Sequence, residues 1–230
     1  MMKHTVAFAA SAVLVLTQGV DGQGRAQYRD FQLGGNLASV AALAGIASSE
    51  AKVIHRRPAL LQDLEWRPSH WLTGSGAAQT DPVQQIVFSF YNDQLFKVIV
   101  DYDRQRTDGL TDGDLIEALS EPYGAPLKAG VKRTFPSPSA ADADAGVPVA
   151  RWEGADYVVV LYRSSYATAF RLIVTLPKLD ALARTADAES VRLDTRDAPQ
   201  REIARQKKEA DDARATQEKA RAANKPTFRP

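Results

Sequence analysis

The sequence predicts an α+β protein in which helices pack on one face of an antiparallel sheet. Two segments alternate apolar and polar residues on either side of a short turn, as β-hairpins do. A segment with helix-capping residues precedes each hairpin, and a charged, helix-forming segment follows the second one. Helices that alternate with antiparallel hairpins are typical of the α+β class.

The first 26 residues have the pattern of a signal peptide. Lys3 is followed by twelve uncharged residues, from Thr5 to Leu16. Twelve helical residues extend only about 18 Å, whereas a hydrocarbon core is about 30 Å thick. We therefore predict an export signal over residues 1–26, cleaved after Ala26 or after Gly22, and a periplasmic or secreted mature chain without a membrane span. The alternative is a short buried N-terminal helix.

Composition excludes several classes of function. The 230 residues include no cysteine, so disulfides, thiolate metal sites, cysteine nucleophiles and acylated N-terminal cysteines are all excluded. With 29 basic and 28 acidic residues, the chain is not a strongly basic nucleic-acid binder, and no nucleic-acid partner is expected. The charge is uneven, because residues 27–176 contain 14 basic and 17 acidic residues and residues 177–230 contain 13 and 10.

The first predicted hairpin joins residues 86–91 to residues 96–102. Asn92 and Asp93 stand at the junction, and both residue types tolerate the positive φ of a tight turn. In the second strand, period-two alternation predicts that four residues share one face: Phe96, Val98, Val100 and Tyr102.

The second predicted hairpin resembles the first. It joins residues 157–162 to residues 170–176, and a tryptophan in a strand-like context precedes each hairpin, Trp66 in one case and Trp152 in the other. This similarity predicts two tandem helix-plus-hairpin units over residues 28–104 and 110–176 within a globular domain of residues 27–176. The alternative is that amphipathic hairpins resemble one another without any duplication.

Each unit has a predicted helix. In the first unit, Asn36 is a candidate N-cap and Gly45 a candidate end. In the second unit, Thr111 and Asp114 have the spacing of a capping box, and Pro122 should stop the helix before Gly124. Composition predicts loops over residues 68–82 and 136–148.

These elements resemble a family of exported bacterial domains. The segment Gln32-Leu-Gly-Gly-Asn-Leu37, a helix, and then the strand pair from Val87 to Val100 resemble the outer-membrane small-lipoprotein and beta-lactamase-inhibitor-protein group. The resemblance covers about residues 28–176 and implies a tandemly duplicated α+β fold. The chain departs from the lipoproteins because it has no cysteine to acylate. The Tyr-Asn-Asp-Gln-Leu-Phe segment is also similar to uncharacterised secreted bacterial proteins, which imply no activity.

The C-terminal part divides into two predicted segments. Residues 177–198 can form a helix that packs Leu179, Leu182 and Ala183 against the sheet, and Pro199 predicts a break after it. Residues 199–230 are highly charged, and Ile203 is the only large apolar residue between positions 201 and 223, so we predict no coiled-coil seam. This charged tail is either a solvated helix or disordered, and acts as a tether, as a partner-binding arm, or as neither.

The sequence contains little that predicts catalysis. We find no nucleophile elbow, phosphate loop or metalloprotease motif. Basic residues flank His55, and His70 is distant from it, so neither a metal site nor any cofactor is expected. Trp71, next to His70 in a polar loop, is a candidate recognition residue, although core packing would also explain it.

One acidic segment has part of the spacing of a calcium loop. Asp101, Asp103 and Gln105 occupy places one, three and five, and Asp112 occupies place twelve. Arg106 stands where such a loop needs glycine, and place twelve normally holds glutamate. We interpret the segment as a strand end, a turn and a helix cap.

These observations favour an exported, non-enzymatic α+β module that binds a protein or another component of the cell envelope. The binding surface would be a sheet face or the loops that contain Trp71 and residues 136–148. The alternative is a hydrolase-like enzyme with Asp101, Asp103 and His70 as its polar groups. A third hypothesis makes the charged tail the active part of the protein.

Overall fold

The computed structural model describes residues 26–68, 81–127, 146–163 and 170–226, together with residue 229. The strands in these ranges are, in chain order, β1 (Gln27–Tyr28), β2 (Phe31–Gln32), β3 (Lys52–His55), β4 (Leu61–Trp66), β5 (Val83–Tyr91), β6 (Gln94–Tyr102), β7 (Val147–Glu153), β8 (Val158–Arg163) and β9 (Phe170–Thr175). The helices are α1 (Leu37–Ala44), α2 (Asp112–Tyr123) and α3 (Pro177–Asn224), with a 3-10 helix at Ser48–Glu50. Three of these features were not predicted: the β1–β2 pair, the edge strand β3 and the 3-10 helix.

Seven of the described strands form one antiparallel sheet. Their order is β3-β4-β5-β6-β9-β8-β7, while β1 and β2 pair separately. The predicted α+β class, with an antiparallel sheet and a long C-terminal helix, is therefore confirmed. β1 and β2 lie over the main core, where Phe31 packs on Phe88 with 4.6 Å between ring centroids.

The two hairpins meet at the centre of the sheet. β6 pairs with β9, and Ile99 lies opposite Ile173 in that pair. Moving outward, each hairpin is followed by the strand that contains its tryptophan: β4 with Trp66 on one side and β7 with Trp152 on the other. Each half therefore contains the same meander of three strands. The arrangement agrees with two tandem units, and their origin by duplication stays a prediction.

The main core lies between the sheet and the helices α1 and α2. Because strand residues alternate between faces, one face of β5, β6, β8 and β9 is apolar. Val40 and Ala41 of α1 and Leu115 and Leu119 of α2 pack against that face. The strand residues that form it are almost fully buried: Ile86, Phe88, Val98, Val100, Val159, Leu161, Leu172 and Val174.

The local signals at turns and caps are confirmed. Asn92 and Asp93 have φ values of 46° and 66°, which suit the two-residue turn of a β-hairpin. Asn36 accepts a hydrogen bond from the Ser39 amide at the start of α1. At the start of α2, the Asp114 side chain accepts from the Thr111 amide and the Thr111 side chain accepts from the Asp114 amide, so the capping box is formed.

The predicted face of β6 is wrong at Phe96. A bulge between β5 and β6 pairs Ser89 with Lys97 but Phe90 with Leu95. The additional residue moves Phe96 away from the main core, because a bulge shifts the alternation of one strand by one position. Phe96 packs instead with Leu61 and α3, on the opposite side of the sheet.

Helix α3 differs from its prediction in two respects. It runs without a break through Pro199, although the proline removes the hydrogen bond that Thr195 would accept. Leu182, predicted to pack on the sheet, is 51% exposed, whereas Leu179 and Ala183 do pack against it. The predicted boundary at residue 198 therefore does not interrupt the helix, although burial ends near it.

Within the described ranges, none of the helices has both the length and the apolar character that a membrane crossing requires.

Candidate functional site

The sheet face opposite α1 and α2, called here the second face, is polar at its borders and apolar in the middle. Pairing registers bring four aliphatic residues into one line across the strands, which we call the apolar row: Val87, Ile99, Ile173 and Val160. Arg151 continues the line at one end and Glu65 at the other. Val87 and Ile99 are half-buried, while Ile173 and Val160 are each 6% exposed.

Ion pairs border the apolar row. Asp101 of β6 lies opposite Arg171 of β9, and Arg171 donates from Nη2 to Asp101 Oδ2 over 3.1 Å. Tyr162 lies opposite Arg171 on the other side. In β7, Arg151 Nε donates to Glu153 Oε1 over 2.8 Å. The two arginines and the two carboxylates of these ion pairs have charges that cancel. The part of the second face around the apolar row therefore has an apolar centre and a charged border with no net charge.

The first part of α3, residues 177–198, covers the part of the second face that lies beside the apolar row. Its contacts with the sheet lie on β3, β4 and β6 and at the β5–β6 turn, and Lys178 also reaches Asp156, between β7 and β8, over 3.7 Å. Leu179 and Ala183 pack with Leu61, Phe96 and Tyr91. The acidic side chains of three α3 residues lie against Lys97, His55 and Arg57 in turn: Asp180, Asp187 and Asp194.

The innermost of these contacts is a buried ion pair. Lys97 Nζ lies 3.0 Å from Asp180 Oδ1, and both side chains are only 7% exposed. Arg184 Nε donates to the other oxygen of Asp180, Oδ2, over 2.7 Å. Removing charges from water is costly unless they are paired, so this group is stable only while α3 stays in place.

A small cavity lies beside this ion pair. Its volume is about 150 Å³, and Asp63, Ser89, Lys97, Asp180 and Arg184 are among the residues that line it. Burial raises the pKa of Asp63, while a hydrogen bond with Ser89 and the positive charge of Lys97 oppose that shift. The cavity is open to solvent and lies between the first part of α3 and strands β3 to β6.

The acidic residues predicted from the calcium-like spacing have other contacts and do not converge. Asp101 pairs with Arg171 in the sheet, and Asp112 pairs with Arg163 at the start of α2. Asp103 Oδ1 accepts hydrogen bonds from the backbone amides of residues 105 and 106, which closes a turn. In the described part of the chain, no group of three or more His, Asp or Glu side chains could hold a metal ion.

His70 and Trp71, the predicted binding residues, lie outside the described residues, as do most of residues 136–148. His55 is described, and its Nε2 lies 2.9 Å from Asp187 Oδ1. Its partner is therefore α3.

Sequence reasoning missed the buried Lys97 and the line of aspartates. Lys97 lies among alternating apolar residues, and such a lysine normally faces solvent. The line of aspartates could have been predicted from the sequence, because Asp180, Asp187 and Asp194 are seven residues apart. Seven residues make nearly two helical turns. That spacing places them on one side of the helix.

Beyond residue 198, α3 has no described contact with the sheet. Every residue from 198 to 226 is exposed, and 26 helical residues from 199 to 224 extend about 39 Å. Arg205 pairs with Glu202 and Glu209 inside the helix, at distances of 2.6 Å and 2.7 Å. The charged tail is therefore a solvated helix over its described residues.

Comparison with known proteins found no family model, no curated protein and no solved structure that matches this chain. The resemblance to exported bacterial domains therefore stays a prediction, and geometry alone carries the functional argument.

Proposed function

We propose that this chain is an exported, non-enzymatic binding protein and that the apolar row of its second face contacts a protein partner of the cell envelope. One observation carries the proposal: four aliphatic side chains from four strands form a continuous row between the Asp101–Arg171 and Arg151–Glu153 ion pairs, and Val87 and Ile99 of that row are only half-buried. An apolar strip inside a polar border is the usual anatomy of a protein-binding surface.

The charges of this surface favour a protein over a polyanion. Arg151 and Arg171 are each paired with a carboxylate of the same surface, at Glu153 and Asp101. A phosphate-rich ligand needs a surplus of cations, and the described residues of this surface provide none. A complementary partner would present apolar side chains to the row and polar groups to its border.

The hydrolase alternative has no supporting observation among the described residues. Asp101 is held by Arg171, and Asp103 closes a turn. Neither carboxylate lies next to a described histidine, because the described His55 contacts Asp187 of α3.

A capture experiment tests the proposal. The secreted form is purified, its N-terminus is sequenced to locate the cleavage site, and it is used as bait in periplasmic extract and culture medium. A captured protein is then identified, purified and titrated against variants. Val87→Arg places a charge in the apolar row and should weaken binding at least about 10-fold, as the loss of a central interface contact does.

Val147→Arg is the matched control, because Val147 is also a strand valine but is exposed on the opposite face. Thermal melts verify that both variants are folded. Equal binding by the two variants would refute the proposal. A chain that ends at residue 198 tests the tail hypothesis, since loss of binding by that chain would place the surface on the projecting helix.

A further inference from the structure

The first part of α3 is held on the sheet mainly by charge. Three basic side chains, two from the sheet and one from the connection between β3 and β4, meet the aspartates of α3 in order along the helix. Lys97 pairs with Asp180 at 3.0 Å, and His55 with Asp187 at 2.9 Å. Arg57 then pairs with Asp194 at 3.3 Å and with Asp197 at 2.7 Å.

The burial of these pairs changes along the helix. The Lys97–Asp180 pair is 7% exposed on both sides, whereas Asp187 is 57% exposed and the Arg57 side chain 46% exposed. Arg57 lowers the pKa of both Asp194 and Asp197 by hydrogen bonding. The outer Arg57 pairs are therefore open to screening by salt, and the inner Lys97–Asp180 pair is protected from it.

The buried apolar side chains of α3 are small, since they are those of Ala183 and Ala186. Leu179 and Ala183 meet Leu61, Phe96 and Tyr91, and an open cavity of about 150 Å³ lies beside them. Helices α1 and α2, in contrast, bury leucine, valine and tyrosine side chains in the main core. Because ion pairs near the surface contribute little to stability, α3 is the least firmly attached of the three described helices.

We propose that residues 177–198 form a releasable strap, which lifts from the sheet as one unit while the sheet stays folded. Leu176 alone separates β9 from α3 and is the hinge. Release begins at the Arg57 pairs and ends when the Lys97–Asp180 pair opens. It uncovers an apolar surface of Leu61, Tyr91 and Phe96, on the same second face as the apolar row. This inference concerns α3 alone and does not depend on the proposed binding function.

Hydrogen exchange of the full-length secreted protein tests the strap. In the variant Asp187→Asn/Asp197→Asn, backbone amides of residues 177–198 should exchange about 10-fold faster, as expected from the loss of the carboxylates that contact His55 and Arg57. Amides of β5 and β6 should keep their wild-type rates. The matched control is Glu189→Gln/Glu202→Gln, which removes two charges that pair only within α3, with Arg192 and Arg205. The control should exchange like the wild type.

Salt provides a second measurement that needs no variant. Between about 0.05 M and about 1 M sodium chloride, exchange in residues 177–198 of the wild type should become faster, since the outer pairs are screened. The strap proposal is overturned if salt leaves this exchange unchanged. It is also overturned if the strap and the sheet always exchange together, or if the control variant accelerates as much as the aspartate variant.

Discussion

The two faces of the sheet are covered by helices in different ways. On the face under α1 and α2, side chains such as Phe88 and Leu172 are completely buried among other apolar groups. On the second face, Lys97 is buried against Asp180, and Arg171 pairs with Asp101. The same strands supply both faces because successive residues point to opposite sides. A single sheet can therefore have one face closed by apolar packing and another face whose cover is held by charge.

The largest difference between the two faces is expected in the free energy of unfolding, after a substitution in the main core. Phe88→Ala removes a fully buried ring that packs on Phe31 and should lower the free energy of unfolding by about 3–5 kcal/mol. Urea denaturation measures this loss, with the exposed Val147→Ala as a control that should change stability by less than about 0.5 kcal/mol. Similar losses in the two variants would mean that this face is not the principal core.

The buried ion pair should behave differently from the core. Asp180→Leu leaves Lys97 without the carboxylate 3.0 Å away and should cost about 3 kcal/mol. Adding Lys97→Met to that variant should restore or exceed wild-type stability, because apolar side chains of similar volume can replace a buried pair. A double-mutant cycle by denaturation measures the coupling. If the double variant loses as much free energy of unfolding as the two single variants together, the two side chains are not coupled. The contact would then resemble the apolar face, and the contrast between the two faces would fail.

A smaller effect is expected at Asp63, a residue of the second face whose contribution to folding stability depends on pH. Burial raises the pKa of Asp63, so its charged form is less favourable in the folded state than in the unfolded state. Its contribution to stability therefore decreases as pH rises from the unfolded pKa through the raised, folded pKa. Asp63→Asn should raise the melting temperature at pH 7 and have less effect near pH 3. Scanning calorimetry across this range measures the difference, and a melting temperature that falls at pH 7 would contradict the argument.

Predictions from sequence were accurate where the interactions are local. The turn at Asn92 and Asp93 and the caps at Asn36 and Thr111 each depend on residues within about four positions of one another. Phe96 was placed on the wrong face because a bulge is decided by the partner strand and not by the alternation itself. Pro199 was predicted to end a helix that in fact continues, since flanking helix formers can extend across one lost hydrogen bond.

The candidate site was less predictable than the fold. The hydrolase residues Asp101 and Asp103 looked available in the sequence, yet in the structure one pairs with Arg171 and the other closes a turn. Nothing in the local sequence around Lys97 indicates burial, because its partner Asp180 is 83 positions away. The apolar row depends in the same way on the pairing of β5, β6, β8 and β9.

By itself, the sequence determined the class of the fold, the two hairpins and their tryptophan strands, and the charged character of the C-terminal helix. These follow from periodicity, capping and turn chemistry, which act over a few residues. Only the tertiary structure decided that β6 and β9 join the halves and that α3 lies opposite α1 and α2. It alone also decided that Lys97 is buried under Asp180. The reason is physical: strand order and helix placement arise from competition between distant surfaces, and a local pattern contains no information about which surface lies opposite it.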